Sequence, residues 1–179
     1  MKKIIVSIKP QWTAKILNGE KTLEIRKSAP KDLPCEVYIY CTKGKPHLVK
    51  HCFDGKYHAG DCLGTYDGVA NNEPLNGKVV AKFTLNKVDK IENDRLWQIE
   101  KGFLECACLS FGELAYYLGG KTDYAWHIDN LVIFDEPKEL KEFEYTNPSG
   151  IRNIGQRSIK GLPSKKHPPQ SWCYCEVDE

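Results

Sequence analysis

Residues 3 to 27 confine the fold more tightly than any other part of the sequence. Ile4-Ile5-Val6-Ser7-Ile8 is a short β-rich run. Pro10 follows it, and its fixed φ suits the first position of a helix. Trp12, Ile16 and Leu17 then recur at helical spacing, and Gly19 supplies the stop. From Lys21 to Lys27 the period changes to two. Leu23 and Ile25 face one way, and Thr22, Glu24 and Arg26 the other. The pattern predicts a strand at about 3–9, a helix at 11–18 and a strand at about 21–27. Lys21 sits at the last junction, so an ammonium, a carboxylate and a guanidinium fall close together on rigid elements. That set suits a polar ligand that is anionic or hydrogen-bonding. A strand face of Thr, Glu and Arg is also ordinary solvated surface, where an ion pair contributes little. Periodicity leaves both readings open.

The rest of the chain reads as mixed α and β. A strand is predicted at about 36–42. Residues 44–76 are rich in glycine and proline with little periodicity, which marks a loop-rich excursion, with a hairpin within it. Gly77 to Ile91 alternates as one strand. Asp94 to Glu105 reads as a helix. Ser110-Phe111-Gly112-Glu113 is an S-x-x-E capping box for a second helix through Leu118, stopped by Gly119-Gly120. Tyr124 to Phe134 reads as a strand broken by Pro137, Glu139 to Tyr145 as a short strand or turn, and Ser171 to Val177 as a closing strand. At 179 residues this is one domain, 1–179, with an insertion at about 44–76.

Charge is unevenly distributed beneath a net of +2. Residues 1–50 carry 11 Lys/Arg against 4 Asp/Glu, residues 91–145 carry 5 against 12, and residues 146–170 carry 5 and no acid. If the two basic segments lie together they form a patch suited to phosphate. The sequence pI of about 8.0 is below that of a dedicated nucleic-acid binder. No segment approaches the roughly 20 apolar residues of a membrane span. The apolar run after Met1-Lys2-Lys3 is too short for a signal-peptide core, so a cytoplasmic location with no membrane partner is expected. The eight cysteines are then expected to be reduced thiols. Cys173 and Cys175 are expected on one side of the last strand as small core residues.

Gly19-Glu20-Lys21-Thr22-Leu23-Glu24-Ile25-Arg26 reads G-x-K-x-x-E-x-R, and it resembles the signature of the ASCH family of the PUA-like superfamily. Ser7-Ile8-Lys9-Pro10, Val37 to Lys43, Asn76 to Val80, Tyr124 to Ile128 and Pro168 to Trp172 also resemble family segments, in the expected order. The resemblance covers most of the chain. It implies an α+β fold, a PUA-like small mixed β-barrel flanked by helices, with a cleft that Lys21, Glu24 and Arg26 line. It also implies a role with RNA or another nucleic acid. Some small bacterial relatives are amidohydrolases of acylated cytidine; this chain resembles them at Lys21 but carries Glu24 where they have a threonine nucleophile. A carboxylate is a poor substitute for an activated hydroxyl in acyl transfer.

Three functions follow as expectations. The first is a binding module for RNA or a modified base or nucleotide. Lys9, Lys21, Arg26 and Lys43 would supply charge, Glu24 would accept hydrogen bonds, and Trp126 would stack on a base. Lys165, Lys166 and Gln170 would add contacts from the C-terminal stretch. The second is a hydrolase of RNA or a modified nucleoside, ribonuclease or amidohydrolase, with Lys21 and Glu24 as the catalytic acid and base and His127 as a further candidate. The third is a protein-interaction adaptor working through the 44–76 excursion, with partners that the sequence does not name. On a strand, Tyr124 and Trp126 share one side and His127 takes the other; a core Trp126, with His127 bonded to a backbone carbonyl, is the alternative to a stacking role. No cofactor is expected. His47, His51, Cys52, His58 and Cys62 have H-x-x-x-H and H-x-x-x-C spacings that suit zinc, but no standard finger spacing.

Overall fold

The computed structural model describes residues 1–51, 54–60, 73–146 and 167–177. Its described strands form three sheets, with the first helix packed on one group of strands and the later helices on another. The chain opens with β1 (Lys2–Ile8), α1 (Pro10–Leu17), β2 (Leu23–Arg26) and β3 (Cys35–Cys41). A hairpin follows, β4 (His47–Lys50) and β5 (Tyr57–Gly60), then β6 (Lys78–Leu85) and β7 (Val88–Ile91). Next come a 3₁₀ turn (Asn93–Gln98), α2 (Lys101–Ala107) and α3 (Phe111–Leu118). The strands β8 (Asp123–His127), β9 (Asp129–Glu139), β10 (Phe143–Thr146) and β11 (Trp172–Val177) complete the described chain. The large sheet has the order β10-β11-β1-β3-β6-β9; β2-β8-β7 and β4-β5 are separate. Among the described strands only β1 and β3 pair in parallel. The α+β class is as the sequence predicts, and the strands wrap a shared core as open sheets rather than one hydrogen-bonded ring.

The apolar run of β1 is continuous because both faces of its sheet are covered. Ile4, Val6 and Ile8 join Val37, Ile39 and Phe83 in one cluster, while Ile5 joins Tyr38, Phe143 and Cys175 in another. Cys175 is buried and Cys173 packs against the same cluster, on the expected side. All six described cysteines are free thiols.

Two predicted strands are each broken in two. Residues 77–91 divide at Asn86-Lys87, and 124–134 divides at Ile128. The breaks lie opposite one another. The ladder pairs Thr84 with Asp129 on the large sheet and Val88 with Trp126 on the small one, and the His127 amide donates to the Lys87 carbonyl between them. The two strands turn a corner together and change sheets. Alternation records the pleat but not this bend. Pro137 does not end β9. That strand lies at the sheet edge, and Pro137 falls in an irregular stretch between the pairs Ala81–Ile133 and Val79–Lys138, where a missing N–H costs no ladder bond. The helix predicted at 94–105 is also divided, because extended backbone at Ile99 and Glu100 separates the 3₁₀ turn from α2. Leu96, Ile99, Phe103 and Leu104 all reach the cluster beneath β2 by this route. Within the described part of the excursion the chain forms the hairpin β4–β5. Asn18, at the end of α1, both donates to and accepts from the backbone of Tyr57 and fastens it.

Candidate functional site

The site is built on β2, whose four residues are all buried. Leu23 and Ile25 face α2 and α3 within the apolar cluster that includes Ala107, Leu114 and Leu118. Glu24 and Arg26 face the other way, toward the end of β1. A solvated strand face is therefore excluded. The reason is tertiary: α1, the end of α2 and the C-terminal stretch close over it.

Glu24 is held between two cations. Its Oε1 lies 3.0 Å from an Arg26 guanidinium nitrogen and its Oε2 lies 3.4 Å from Lys21 Nζ. The three side chains are only 3%, 8% and 11% exposed for Lys21, Glu24 and Arg26. Lys21 Nζ also donates to the Ala107 carbonyl at 2.6 Å and lies 5.3 Å from the Trp12 ring centroid. Ala107 ends α2, where free carbonyls favour a cation. Burial pushes the Lys21 ammonium below its ordinary pKa, and Glu24 opposes that shift without cancelling it. Arg26 donates to the Ser7 carbonyl at 2.7 Å. Its Nε is buried and has no hydrogen-bond partner among the described residues.

This triad lines a pocket of about 450 Å³. Lys9 and Trp12 form its wall on the α1 side, with Tyr116 and Tyr117 opposite on α3. The predicted capping box holds that helix: the Ser110 hydroxyl accepts from the Glu113 amide, and the Glu113 carboxylate accepts from the Ser110 amide. At its far end Lys27 donates to the Tyr117 and Leu118 carbonyls and sits over the Tyr117 ring. Tyr117 is thereby fixed beside Ile25, whose carbonyl its hydroxyl reaches. Tyr116 is 90% exposed. The last side is Pro168, Pro169 and Gln170. That stretch is tied to β1 by the Ser7 hydroxyl donating to the Pro169 carbonyl at 2.6 Å and the Ser7 amide donating to Ser171.

The structure brings Lys9, Lys21, Glu24, Arg26 and Gln170 together around this pocket. It does not bring the other candidates there. Lys43 is exposed and does not line the pocket, its stem lying against Gly77. Trp126 faces the same way as Glu24, its cross-strand neighbour, but is wholly buried, edge-on to Trp172 at 5.7 Å. It is a core residue and presents no surface to a base. His127 points to the opposite face as alternation requires, and its partner is the Asp89 carboxylate at 2.7 Å rather than a backbone carbonyl. It is not among the residues that line the pocket. Lys165 and Lys166 lie outside the described residues, as does most of the basic stretch 146–170. Of the zinc candidates, His51 and His58 stand side by side, with ring centroids 4.2 Å apart, and His47 is not among the ligand atoms grouped with them. Cys52 and Cys62 lie outside the described residues.

Periodicity does not mark the pocket aromatics Trp12, Tyr116 and Tyr117 as site residues. Trp12 reads as one apolar position of an amphipathic helix. The adjacent pair Tyr116-Tyr117 carried a signal, because neighbouring residues on a short helix cannot both turn inward.

No family model matches the sequence, and no curated protein does. Solved structures do match. ASCH from Zymomonas mobilis superposes with a TM-score of 0.57 at 19% identity, over 97% of this chain and 87% of that one. Its serine-to-alanine mutant matches with 0.57 at 18% identity, over 97% and 87%. Its tyrosine-to-phenylalanine mutant matches with 0.56 at 18%, over 97% and 90%. The chain has the ASCH-domain fold. Among the described residues no helix is long and apolar enough to cross a membrane.

Proposed function

We propose that the pocket binds one nucleotide unit of RNA, or a modified nucleoside, with its base between aromatic walls and its polar groups over the Lys21–Glu24–Arg26 floor. The observation that carries this reading is the buried triad at the base of an aromatic-walled pocket. Glu24 already engages both cations, so the floor is a fixed array of donors and one acceptor rather than a bare anion hole. Such an array reads hydrogen-bonding edges, which is how bases in single strands are recognised. Lys9 is exposed at the rim and suits a flanking phosphate. Tyr116 and Trp12 take the stacking role that Trp126 cannot.

The test is equilibrium binding of a short single-stranded RNA and of free nucleosides. Lys9→Ala and Tyr116→Ala are the variants of choice, because both side chains are exposed and neither supports the fold. Lys9→Ala should weaken RNA and reduce the salt slope by about 0.7. Tyr116→Ala should weaken RNA and nucleosides alike. Binding unchanged in both variants would remove this pocket as the site.

A hydrolase of RNA or of a modified nucleoside is the second reading, favoured by one observation. Lys21 is an amine whose pKa burial lowers, paired with a carboxylate and facing a pocket. That combination suits acid–base work. Turnover that disappears in Glu24→Gln while binding persists would favour catalysis; turnover that persists would rule Glu24 out of it.

A further inference from the structure

We propose that His51, Asp54 and His58, at the tip of the β4–β5 hairpin, form a binding site for a divalent transition metal ion of the zinc class. The site rests on how the hairpin is built. The ladder continues past β4 through the His51 amide, which donates to the Lys56 carbonyl at 2.8 Å. The Gly55 amide donates back to the His51 carbonyl at 3.0 Å, with Gly55 at φ +68, where a side chain would be strained. The loop is thereby closed on itself. Strand register pairs Val49 with His58. His51, two residues beyond Val49, shares its face and meets His58 on the diagonal.

The other face of the hairpin is committed to the core, where Leu48 is buried and Tyr57 and Ala59 pack. The two imidazoles stand on the opposite face and are exposed, beside a buried Val49. Asp54 enters from the loop. Its Oδ1 accepts from the Lys56 amide at 2.9 Å, which leaves Oδ2 turned to His58 Nε2 at 3.1 Å.

Two histidines and one carboxylate are a donor set suited to zinc, cobalt or nickel. All the ligand atoms lie within 4.8 Å of one another. Bonds of about 2.0–2.2 Å to one ion require ligand atoms roughly 3.3–3.5 Å apart in a tetrahedral arrangement. Asp54 Oδ2 and His58 Nε2, at 3.1 Å, stand slightly inside that separation and would open by a few tenths of an ångström around an ion. All three side chains are exposed, and their rotation would bring the other ligand atoms to that separation. Three ligands leave at least one coordination position to water. The bound ion would clip the loop to β5 and replace the Asp54–His58 hydrogen bond.

The test is titration of the reduced full chain with Co²⁺, read by visible absorption, then competition with Zn²⁺. One ion per chain with no thiolate-to-cobalt charge-transfer band is expected. Affinity should fall at least about 10-fold in His51→Ala and in His58→Ala, since losing even an outer-shell partner costs roughly 10- to 100-fold. His127→Ala serves as the control and should bind as the wild type does. These histidines are exposed, and circular dichroism will confirm that the variants fold. Binding that survives both histidine substitutions overturns the assignment. So does a thiolate band, or an absence of binding at millimolar Co²⁺.

Discussion

Glu24→Gln isolates the physics of the pocket floor. The substitution keeps shape and volume but removes the negative charge that contacts both Lys21 and Arg26, at 3.4 and 3.0 Å. It also turns one of those contacts into donor against donor, because an amide offers one oxygen where a carboxylate offers two. At an effective dielectric constant of 20, each contact represents roughly 5 kcal/mol of Coulomb attraction before desolvation. Breaking a buried pair by deleting one partner costs about 3–5 kcal/mol in practice. The three side chains are nearly inaccessible, so solvent offers little screening. Urea unfolding at pH 7 should show a loss of about 3–5 kcal/mol with an unchanged m-value. The corresponding fall in Tm is about 6–20 °C for a domain of this size. The same variant leaves two cations uncompensated at the pocket floor, so inorganic phosphate should raise its Tm more than it raises the wild type's. A loss below about 1 kcal/mol, with phosphate acting equally on both proteins, would refute the account of Glu24 as the counter-charge that permits burial of Lys21 and Arg26.

Lys21 predicts a pH dependence. Its folded pKa lies below its ordinary 10.5, so the cost of burying the ammonium is fully present below the folded pKa and is relieved as pH rises from there toward 10.5. Stability should accordingly gain a rising contribution over that window, and Lys21→Met should remove it in matched urea titrations. Tyr116→Ala should leave stability within about 0.5 kcal/mol of the wild type, since the ring is 90% exposed. In calorimetric titrations it should weaken base-containing ligands by about 1–3 kcal/mol if the ring stacks on them. Trp126→Ala should do the reverse. It costs about 3–5 kcal/mol of stability through the cavity it leaves, and a stable folded variant that selectively loses nucleoside affinity would contradict its core placement. The Asp89–His127 pair gives an acid-side prediction. Burial alone would raise the Asp89 pKa, but hydrogen bonds from His127 and Lys87 outweigh it and hold the carboxyl below its usual range. The stabilisation from this pair is present above the unfolded carboxylate pKa and is lost as pH falls through the lower folded one. Asp89→Asn should therefore reduce the acid sensitivity of unfolding.

Local chemistry was legible in the sequence because it depends on neighbours a few residues apart. Pro10 and Gly19 bracket α1, the Ser110–Glu113 box opens α3, and the two-residue period of 21–27 assigns Glu24 and Arg26 to one face before any fold is known. The G-x-K-x-x-E-x-R signature and its companion segments pointed to the ASCH fold that the solved structures display. Tertiary structure decided which of those faces would be buried, and periodicity carries no information about what covers a face. Glu24 and Trp126 sit opposite one another on the same side of the sheet, yet one meets a pocket and the other meets Trp172. The carbonyl at the end of α2 that receives Lys21, and the Pro168–Gln170 stretch bound to Ser7, lie 86 and 162 residues away along the chain from the groups they serve. Contacts across such separations form only when the chain has folded. The sequence therefore named most of the charges at the site, and the fold decided which of them lost water, acquired partners and faced a common pocket.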